Sequence, residues 1–261
     1  TVTFFYLGAP MPHWLRDSEV PLFVSHRRLR RYKGPCPKAA CRWALDSGGF
    51  TELDQGGGWT TTVSEYVEAC HRYTEEVGPM DWAAPMDWMC EPWIVAKTGK
   101  TVEEHQHLTT QNLHQLRQAA PTVPFIPVLQ GWDQADYERH MEMYAADGID
   151  LTTEPTVGIG SVCRREYTDE IGSICAMVAG AGIALHGFGV KSTGITHYGR
   201  FLQSADSMAW SKAGRHIRPC PHTGALSCNN CRIHAHEWRN TVMAATTQQR
   251  PVQLALSLPT P

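Results

Sequence analysis

What the chain lacks narrows it first. No apolar run approaches the roughly 20 residues that a membrane-spanning helix needs, and the start, Thr1-Val2-Thr3-Phe4-Phe5, has neither the basic region nor the cleavage site of a secretory leader. A cytoplasmic protein is therefore expected. Charge of one sign is also scarce: 23 Lys and Arg stand against 26 Asp and Glu, a net charge of −3, so no global excess announces a nucleic-acid partner. A complete disulfide framework is excluded too, because the nine cysteines are odd in number and unevenly placed. They read as one local metal site plus scattered core thiols such as Cys70, Cys90, Cys163 and Cys175. No internal repeat or low-complexity run occurs, apart from a loose tail from about 246 to 261.

What is present is a recurring apolar run of β type with amphipathic stretches between, the pattern of a parallel sheet covered by helices. Strands are expected at Thr3–Leu7, Pro21–Ser25, Trp43–Asp46, Trp82–Met86, Phe125–Leu129, Thr156–Gly160, Ala184–Phe188 and Ala205–Ala209. Helices are expected at Val63–Val77, capped by Thr62 or Ser64, and at Val102–Ala119, Gln134–Asp147, Arg165–Ala179 and Ile195–Gln203. Tyr66, Ala69, Cys70 and Tyr73 fall at i, i+3, i+4 and i+7, so that face should lie on the sheet. Eight strands with helices after most of them predict an α/β fold of the (β/α)8 TIM-barrel type. The expected division is a barrel core over 1–215, a zinc-binding segment with a C-terminal helix over 216–245, and the tail.

In such a barrel the chemistry sits at the C-terminal ends of the strands, and polar groups recur there. Asp46 ends the apolar run Trp43-Ala44-Leu45 and precedes Ser47-Gly48-Gly49; Asp87 follows Ala84-Pro85-Met86; Gln130 and Gly131 follow Val128-Leu129. Gly158 and Gly160 flank Ile159, Gly187 follows His186, and Asp206 lies in Ser204-Ala205-Asp206-Ser207. Each alone reads as readily as a turn Asp or a packing Gly. Together, at one end of successive strands, they offer acceptors for ring N–H groups, an amide for a carbonyl, room for a flat ring, and two carboxylates to flank an anomeric carbon.

The most specific local signal is Cys228-Asn229-Asn230-Cys231, a knuckle whose tight turn lets two thiolates grip one ion. Cys220 supplies a third thiolate. His236, five residues past Cys231, is preferred as the fourth ligand over His234 and over His222, and a closed site of this kind holds structural zinc. Two basic clusters are candidate phosphate tracks: Arg27, Arg28, Arg30, Arg31 and Lys33, and, further on, Lys191, Lys212 and Arg215. Either cluster is equally consistent with an ordinary solvated face.

The motifs Asp46-Ser47-Gly48-Gly49-Phe50, Val128-Leu129-Gln130-Gly131, Gly158-Ile159-Gly160-Ser161, His186-Gly187-Phe188-Gly189-Val190 and Asp206-Ser207-Met208-Ala209, followed by a Cys-rich segment, resemble in order and spacing the tRNA-guanine transglycosylase superfamily. The resemblance covers about residues 40 to 240. It implies a zinc-containing barrel that exchanges guanine in a polynucleotide for a 7-deazaguanine, with Asp206 as the nucleophile at C1′ and Asp46 as general acid/base. It further implies that Ser47 and Gly48 bound the base site, with Gly187 beside them, that Asp87 reads the N–H edge of the base, and that Gln130 and an amide near Gly158 or Gly160 read its carbonyl. The chain departs from the tRNA enzymes in the wide gap between Cys220 and the knuckle, in the early last His, and in the lack of an RNA-binding domain after the barrel. That compactness is similar to the DNA-modifying branch of phages and genomic islands, which inserts bases such as 7-cyano-7-deazaguanine. DNA, as a flipped-out or single-stranded guanine, and a 7-deazaguanine base are therefore the expected partners, with a homodimer or an accessory duplex-opening protein as further possibilities. A tRNA enzyme, or a non-catalytic nucleic-acid-binding subunit, is the alternative reading.

Overall fold

A computed structural model describes residues 2, 4–162, 165 and 168–247 of the chain. It has seven parallel strands: β1 (Phe4–Ala9), β2 (Leu22–Ser25), β3 (Trp43–Asp46), β4 (Val128–Leu129), β5 (Val157–Ile159), β6 (Leu185–Gly187) and β7 (Ser204–Ser207). They form one curled sheet in the order β3-β2-β1-β7-β6-β5-β4. The register pairs Ser25 with Asp46 and Tyr6 with Asp206, and because all the strands run parallel both carboxylates stand toward the C-terminal end of the sheet.

The expected strand at Trp82–Met86 is not a regular strand. Ala83 alone forms parallel bridges, to Leu45 on one side and to Phe125 on the other. The reason is covalent: Pro85 has no N–H to continue the ladder, and Pro124 and Pro127 interrupt the neighbouring run, which is why the expected strand Phe125–Leu129 contracts to Val128–Leu129. The hydrogen bonds that remain, Leu45 N–H to the Trp82 carbonyl at 3.0 Å, Ala84 N–H to the Leu45 carbonyl at 2.8 Å and Ile126 N–H to the Ala83 carbonyl at 3.2 Å, link this segment to both neighbours.

The helices are α1 (His26–Leu29), α2 (Gly49–Gly56), α3 (Val63–Glu76), α4 (Pro92–Thr98), α5 (Val102–Ala119), α6 (Gln134–Ala146), α7 (Thr168–Gly180), α8 (Ser192–Tyr198), α9 (Ala209–Gly214) and α10 (Arg232–Thr247). Three of them start with reciprocal capping boxes, Thr62 with Glu65, Thr101 with Glu104 and Asp133 with Asp136, each satisfying two backbone donors that a helix start leaves without partners. Tyr66, Cys70 and Tyr73 of α3 are fully buried, with Ala69 packed beside them, as the spacing predicts. The remaining expected helices differ at their ends: that at Arg165–Ala179 starts at Thr168, and that at Ile195–Gln203 is α8 followed by a 3-10 turn at Gly199–Phe201. Residues 163, 164, 166 and 167, Cys163 among them, and the tail from 248 lie outside the described residues. All eight described cysteines are free thiols. No described helix is long and apolar enough to cross a membrane.

The segment after β7 is locked to the sheet by Trp210 of α9. Its indole is fully buried, stacks on Trp14 at 5.5 Å and donates to the Gly8 carbonyl at 3.1 Å, joining α9 to β1.

Candidate active site and metal centre

The strand ends converge on one cavity of about 380 Å3, within the range of small-molecule sites. Asp46, Asp87 and Asp206 line it, with Ser47, Gly49, Gln130 and Gly160. Its apolar walls are Phe23, Phe50, Phe188, Met89 and Met208, faces and soft edges against which a flat ring can lie.

Asp46 is the last residue of β3, and its Oδ1 accepts the N–H of Gly48 at 3.0 Å. Gly48 has φ +81°, a conformation that strains any residue with a side chain, and a Cβ there would meet the Arg27 side chain at 2.6 Å. The glycine thus turns the chain back so that its own amide reaches Asp46 and α2 begins at once. Burial raises the pKa of Asp46, the hydrogen bonds from Gly48 and Ser25 oppose that shift, and the nearby charge of Asp206 adds to it.

Asp206 is buried in β7. Its Oδ1 accepts from the Gly189 N–H at 3.0 Å and lies 3.3 Å from Nε2 of His186. His186 is fully buried on β6, with Nδ1 2.9 Å from Oγ of Ser204. It was missed by sequence reasoning, which treated it as a flank of the Gly187 motif. The available signal was alternation: in β6 the residue between Leu185 and Gly187 points to the face of the sheet opposite theirs, the side that carries the Tyr6, Phe23 and Trp82 rings.

Asp87, Gln130 and Ser161 form a chain. Gln130 Nε2 donates to Asp87 Oδ2 at 2.5 Å, and the Ser161 hydroxyl lies 2.8 Å from Gln130 Oε1 and 2.9 Å from Oε2 of the buried Glu91. The Cys90 N–H donates to Ser161 Oγ at 2.8 Å. Burial lifts the pKa of Asp87 to about 7, the Gln130 contact opposing and the charges of Asp46 and Glu91 adding to the shift. Ser161 and Glu91 were not expected; Ser161 stands out as a non-glycine residue at φ +55°.

The glycines divide. Gly160 lines the cavity, but its amide donates to the Leu129 carbonyl at 2.9 Å, so its contribution is space: a Cβ there would meet Gln130 Nε2 at 2.3 Å. Gly158 and Gly187 are not on the lining. A Cβ on Gly158 would strike the Phe188 ring at 2.3 Å, and one on Gly187 would strike Val190 at 2.6 Å, so both are packing positions beneath the site. Gly49, of the Gly48-Gly49 turn, is on it, and a Cβ there would meet the Trp59 ring at 2.9 Å and Asp87 Oδ1 at 3.4 Å.

The metal-ligand set differs from expectation at one position. Sγ of Cys220, Cys228 and Cys231 and a ring nitrogen of His222 lie within 4.8 Å of one another, a set that can hold a metal ion. His236 is not among them. It lies five residues past Cys231, on a helix that begins at Arg232, so the turn of about 100° per residue carries it to another face, near Asp17 and Glu19. His222 is brought in by the loop after Cys220, closed by Gly224 N–H to the Cys220 carbonyl at 2.9 Å and Cys220 N–H to the Ala225 carbonyl at 2.8 Å. Its Nδ1 is 3.4 Å from Cys231 Sγ, and its Nε2 is 3.4 Å from Glu237 Oε2, the carboxylate that orients a ligating imidazole. The three thiols are buried. Three soft thiolates and an imidazole suit zinc.

Of the expected phosphate contacts, Arg28, Arg30, Arg31, Lys191, Lys212 and Arg215 are exposed. Arg27 is not available in the same way: it pairs with the buried Glu52 at 3.3 Å and packs on Gly48.

No curated protein matches the chain. Among solved structures, xylanase XynB from Paenibacillus barcinonensis complexed with a conduramine derivative is similar over 86% of this chain and 89% of its own, with 10% identity and a TM-score of 0.43. The GsuK channel is similar over 94% and 70%, with 8% identity and a TM-score of 0.24. Neither likeness is close enough to carry an argument. A family profile does match, that of DpdA, "DeoxyPurine in DNA protein A", and it does so over residues 2–257. With nearly the whole chain matched, the protein belongs to the DpdA family of DNA 7-deazaguanine transglycosylases, related to the tRNA-guanine transglycosylase superfamily.

Proposed function

We propose that the chain exchanges guanine in DNA for a 7-deazaguanine such as 7-cyano-7-deazaguanine through a covalent glycosyl-enzyme ester on Asp206. The observation that carries this reading is the convergence of Asp46, Asp87, Asp206 and Gln130 on one base-sized cavity at the strand ends. The sheet then works as a (β/α)8 barrel in which the Trp82–Ala84 segment, bridged on both sides, takes the place of the fourth strand.

A flipped-out guanosine enters with its base between the apolar walls and its sugar over the two strand-end acids. A carboxylate oxygen of Asp206 attacks C1′ as the bond from C1′ to N9 breaks, and the electron pair leaves with the base. Asp46, whose raised pKa favours the acid form, gives the departing guanine its proton. In the return step the N9 of the incoming base gives its proton to Asp46 and bonds to C1′, while the ester electron pair returns to Asp206. The proton count closes without any other reactant.

Asp87 faces the N–H edge of the base, and the second Nε2 hydrogen of Gln130, left over by the Asp87 contact, faces its carbonyl. Cys220, His222, Cys228 and Cys231 would hold zinc, which supplies a cross-link and no chemistry to the exchange. The knuckle docks on α9, where a Cβ on Gly214 would meet the Cys228 backbone at 2.7 Å and Ser211 Oγ donates to the Asn229 carbonyl at 2.7 Å, so the metal would steady the helix that follows Asp206. In this reading 1–215 is the catalytic core and 216–245 its zinc segment.

The test is mass spectrometry of nucleosides from duplex DNA, single-stranded DNA and tRNA after incubation with the protein and candidate deazaguanines. Modified deoxynucleoside is expected from DNA, and Asp206→Asn and Asp46→Asn should each abolish it while remaining folded. Incorporation into tRNA alone would move the assignment to the tRNA enzymes.

A further inference from the structure

The two oxygens of Asp206 are not equivalent. Oδ1 is held by the Gly189 N–H at 3.0 Å and faces Nε2 of His186 at 3.3 Å, while among the described residues no hydrogen bond falls on Oδ2. A carboxylate oxygen accepts only, so the hydrogen of that contact belongs to His186, and its Nδ1 is then free to take the Ser204 hydroxyl hydrogen at 2.9 Å. The imidazole is closely confined. Four aromatic rings enclose it, Trp82 at 4.6 Å, Phe188 at 4.9 Å, Tyr6 at 5.9 Å and Phe23 at 6.1 Å between centroids. A fully buried imidazole boxed by rings, with its polar contacts aimed at one catalytic carboxylate and one serine, is more than packing requires, because an apolar side chain would fill the same space without a polar group to satisfy.

We infer that His186 is a positioning residue for the nucleophile: with the Gly189 amide it fixes Oδ1 and leaves Oδ2 as the oxygen that bonds to C1′. The inference rests on the covalent reading above. In the ester, Oδ2 is the bridging oxygen and Oδ1 the carbonyl oxygen, still facing both donors. When the incoming base attacks C1′, the bond from C1′ to Oδ2 breaks, its electron pair returns to the carboxylate, and the charge regained on Oδ1 meets two donors already in place. His186 thus acts on both halves of the exchange without gaining or losing a proton. The contact is long for an N–H···O bond, as catalytic hydrogen bonds commonly are before substrate binds.

The experiment compares His186→Met, which fills the space without a donor, with His186→Gln, whose side-chain amide nitrogen reaches nearly as far as Nε2. The readouts are steady-state exchange on guanine-containing DNA and the protein–DNA adduct retained on a denaturing gel, with its decay after 7-deazaguanine is added. His186→Met is expected to lower kcat by about 10²-fold, the loss typical of one preorganised oxyanion donor, with KM for the base unchanged and adduct decay slowed in parallel. His186→Gln is expected to recover at least a tenth of wild-type kcat. Equal kcat for His186→Met and wild type, or an equal loss in both variants, overturns the inference. Independently of folding in the variants, 15N NMR of the histidine-labelled wild-type protein should find the hydrogen of His186 on Nε2, and finding it on Nδ1 alone overturns the inference as well. Failure of the covalent reading looks different: the wild-type protein would then form no adduct and Asp206→Asn would still exchange base.

Discussion

Asp87 sits where its charge is costly. Its carboxyl is enclosed by the walls of the cavity, shares that space with Asp46 and Glu91, and is lifted to a pKa of about 7, against an ordinary value of about 3.9 in an unfolded chain. Between those two values the folded protein holds a proton that the unfolded chain has released, so the native state binds more protons and stability falls as pH rises. The loss should begin near pH 4 and level off above about pH 7. Asp87→Asn keeps an oxygen for the Gln130 amide and removes the titration. Thermal melts of wild type and Asp87→Asn across that window are therefore expected to diverge, with the variant gaining relative to wild type as pH rises. Parallel curves would show that the folded carboxyl titrates where an unfolded one does. A protonated Asp87 also changes what the site reads, because a carboxylic acid can donate as well as accept, and the residue expected to read the N–H edge of the base is here a group whose state depends on pH.

At the scale of elements, what could be read in advance followed the strength of local periodicity. α3 and α5 were legible to within a residue because each runs for several turns, carries an apolar stripe, and opens on a Thr with Glu three residues later. α2, α4 and α9 were not, since helices of six to eight residues are too short to show a period, and α2 contains two glycines that read as turn. The metal segment shows the same limit. Its knuckle was legible as Cys-x-x-Cys, but the fourth ligand depended on where α10 begins and on the loop that folds His222 back, neither of which spacing alone determines. The consequence is measurable. Purified protein should contain about one zinc per chain. His222→Ala and Cys231→Ala should release it and lower the melting temperature, whereas His236→Ala, whose ring faces Asp17 and Glu19, should keep it. Zinc released by His236→Ala and kept by His222→Ala would restore the ligand set expected from spacing.

For the molecule as a whole, the parallel α/β sheet and the acid at the end of β3 were legible, because the apolar run Trp43-Ala44-Leu45 ends in Asp46 and similar runs recur with helical stretches between them. The bridged segment at Ala83 was not, because proline removes ladder donors in a run whose composition otherwise reads as strand. Global charge gave no hint of DNA, so electrostatic recognition must come from local arrangement. Arg28 lies in α1, which follows β2 directly, with Arg30 and Arg31 just past it, and Lys191 precedes α8 after β6, so these exposed cations follow the C-terminal ends of strands, the end of the sheet that carries Asp46. Arg27 belongs to a different account: its guanidinium holds the buried Glu52 and its stem packs on Gly48, so it supports the turn beneath Asp46. Replacing Arg28, Arg30 and Arg31 with Gln should therefore weaken DNA binding about equally for all sequences. It should also flatten the dependence of log affinity on log salt, by about 0.9 for each duplex phosphate no longer neutralised or about 0.7 for single-stranded DNA. Arg27→Gln should leave that slope nearly unchanged while lowering thermal stability and exchange. Fluorescence anisotropy of labelled DNA over a salt series measures the slopes, and an unchanged slope in the triple variant would move the phosphate track away from α1, to Lys191, Lys212 and Arg215.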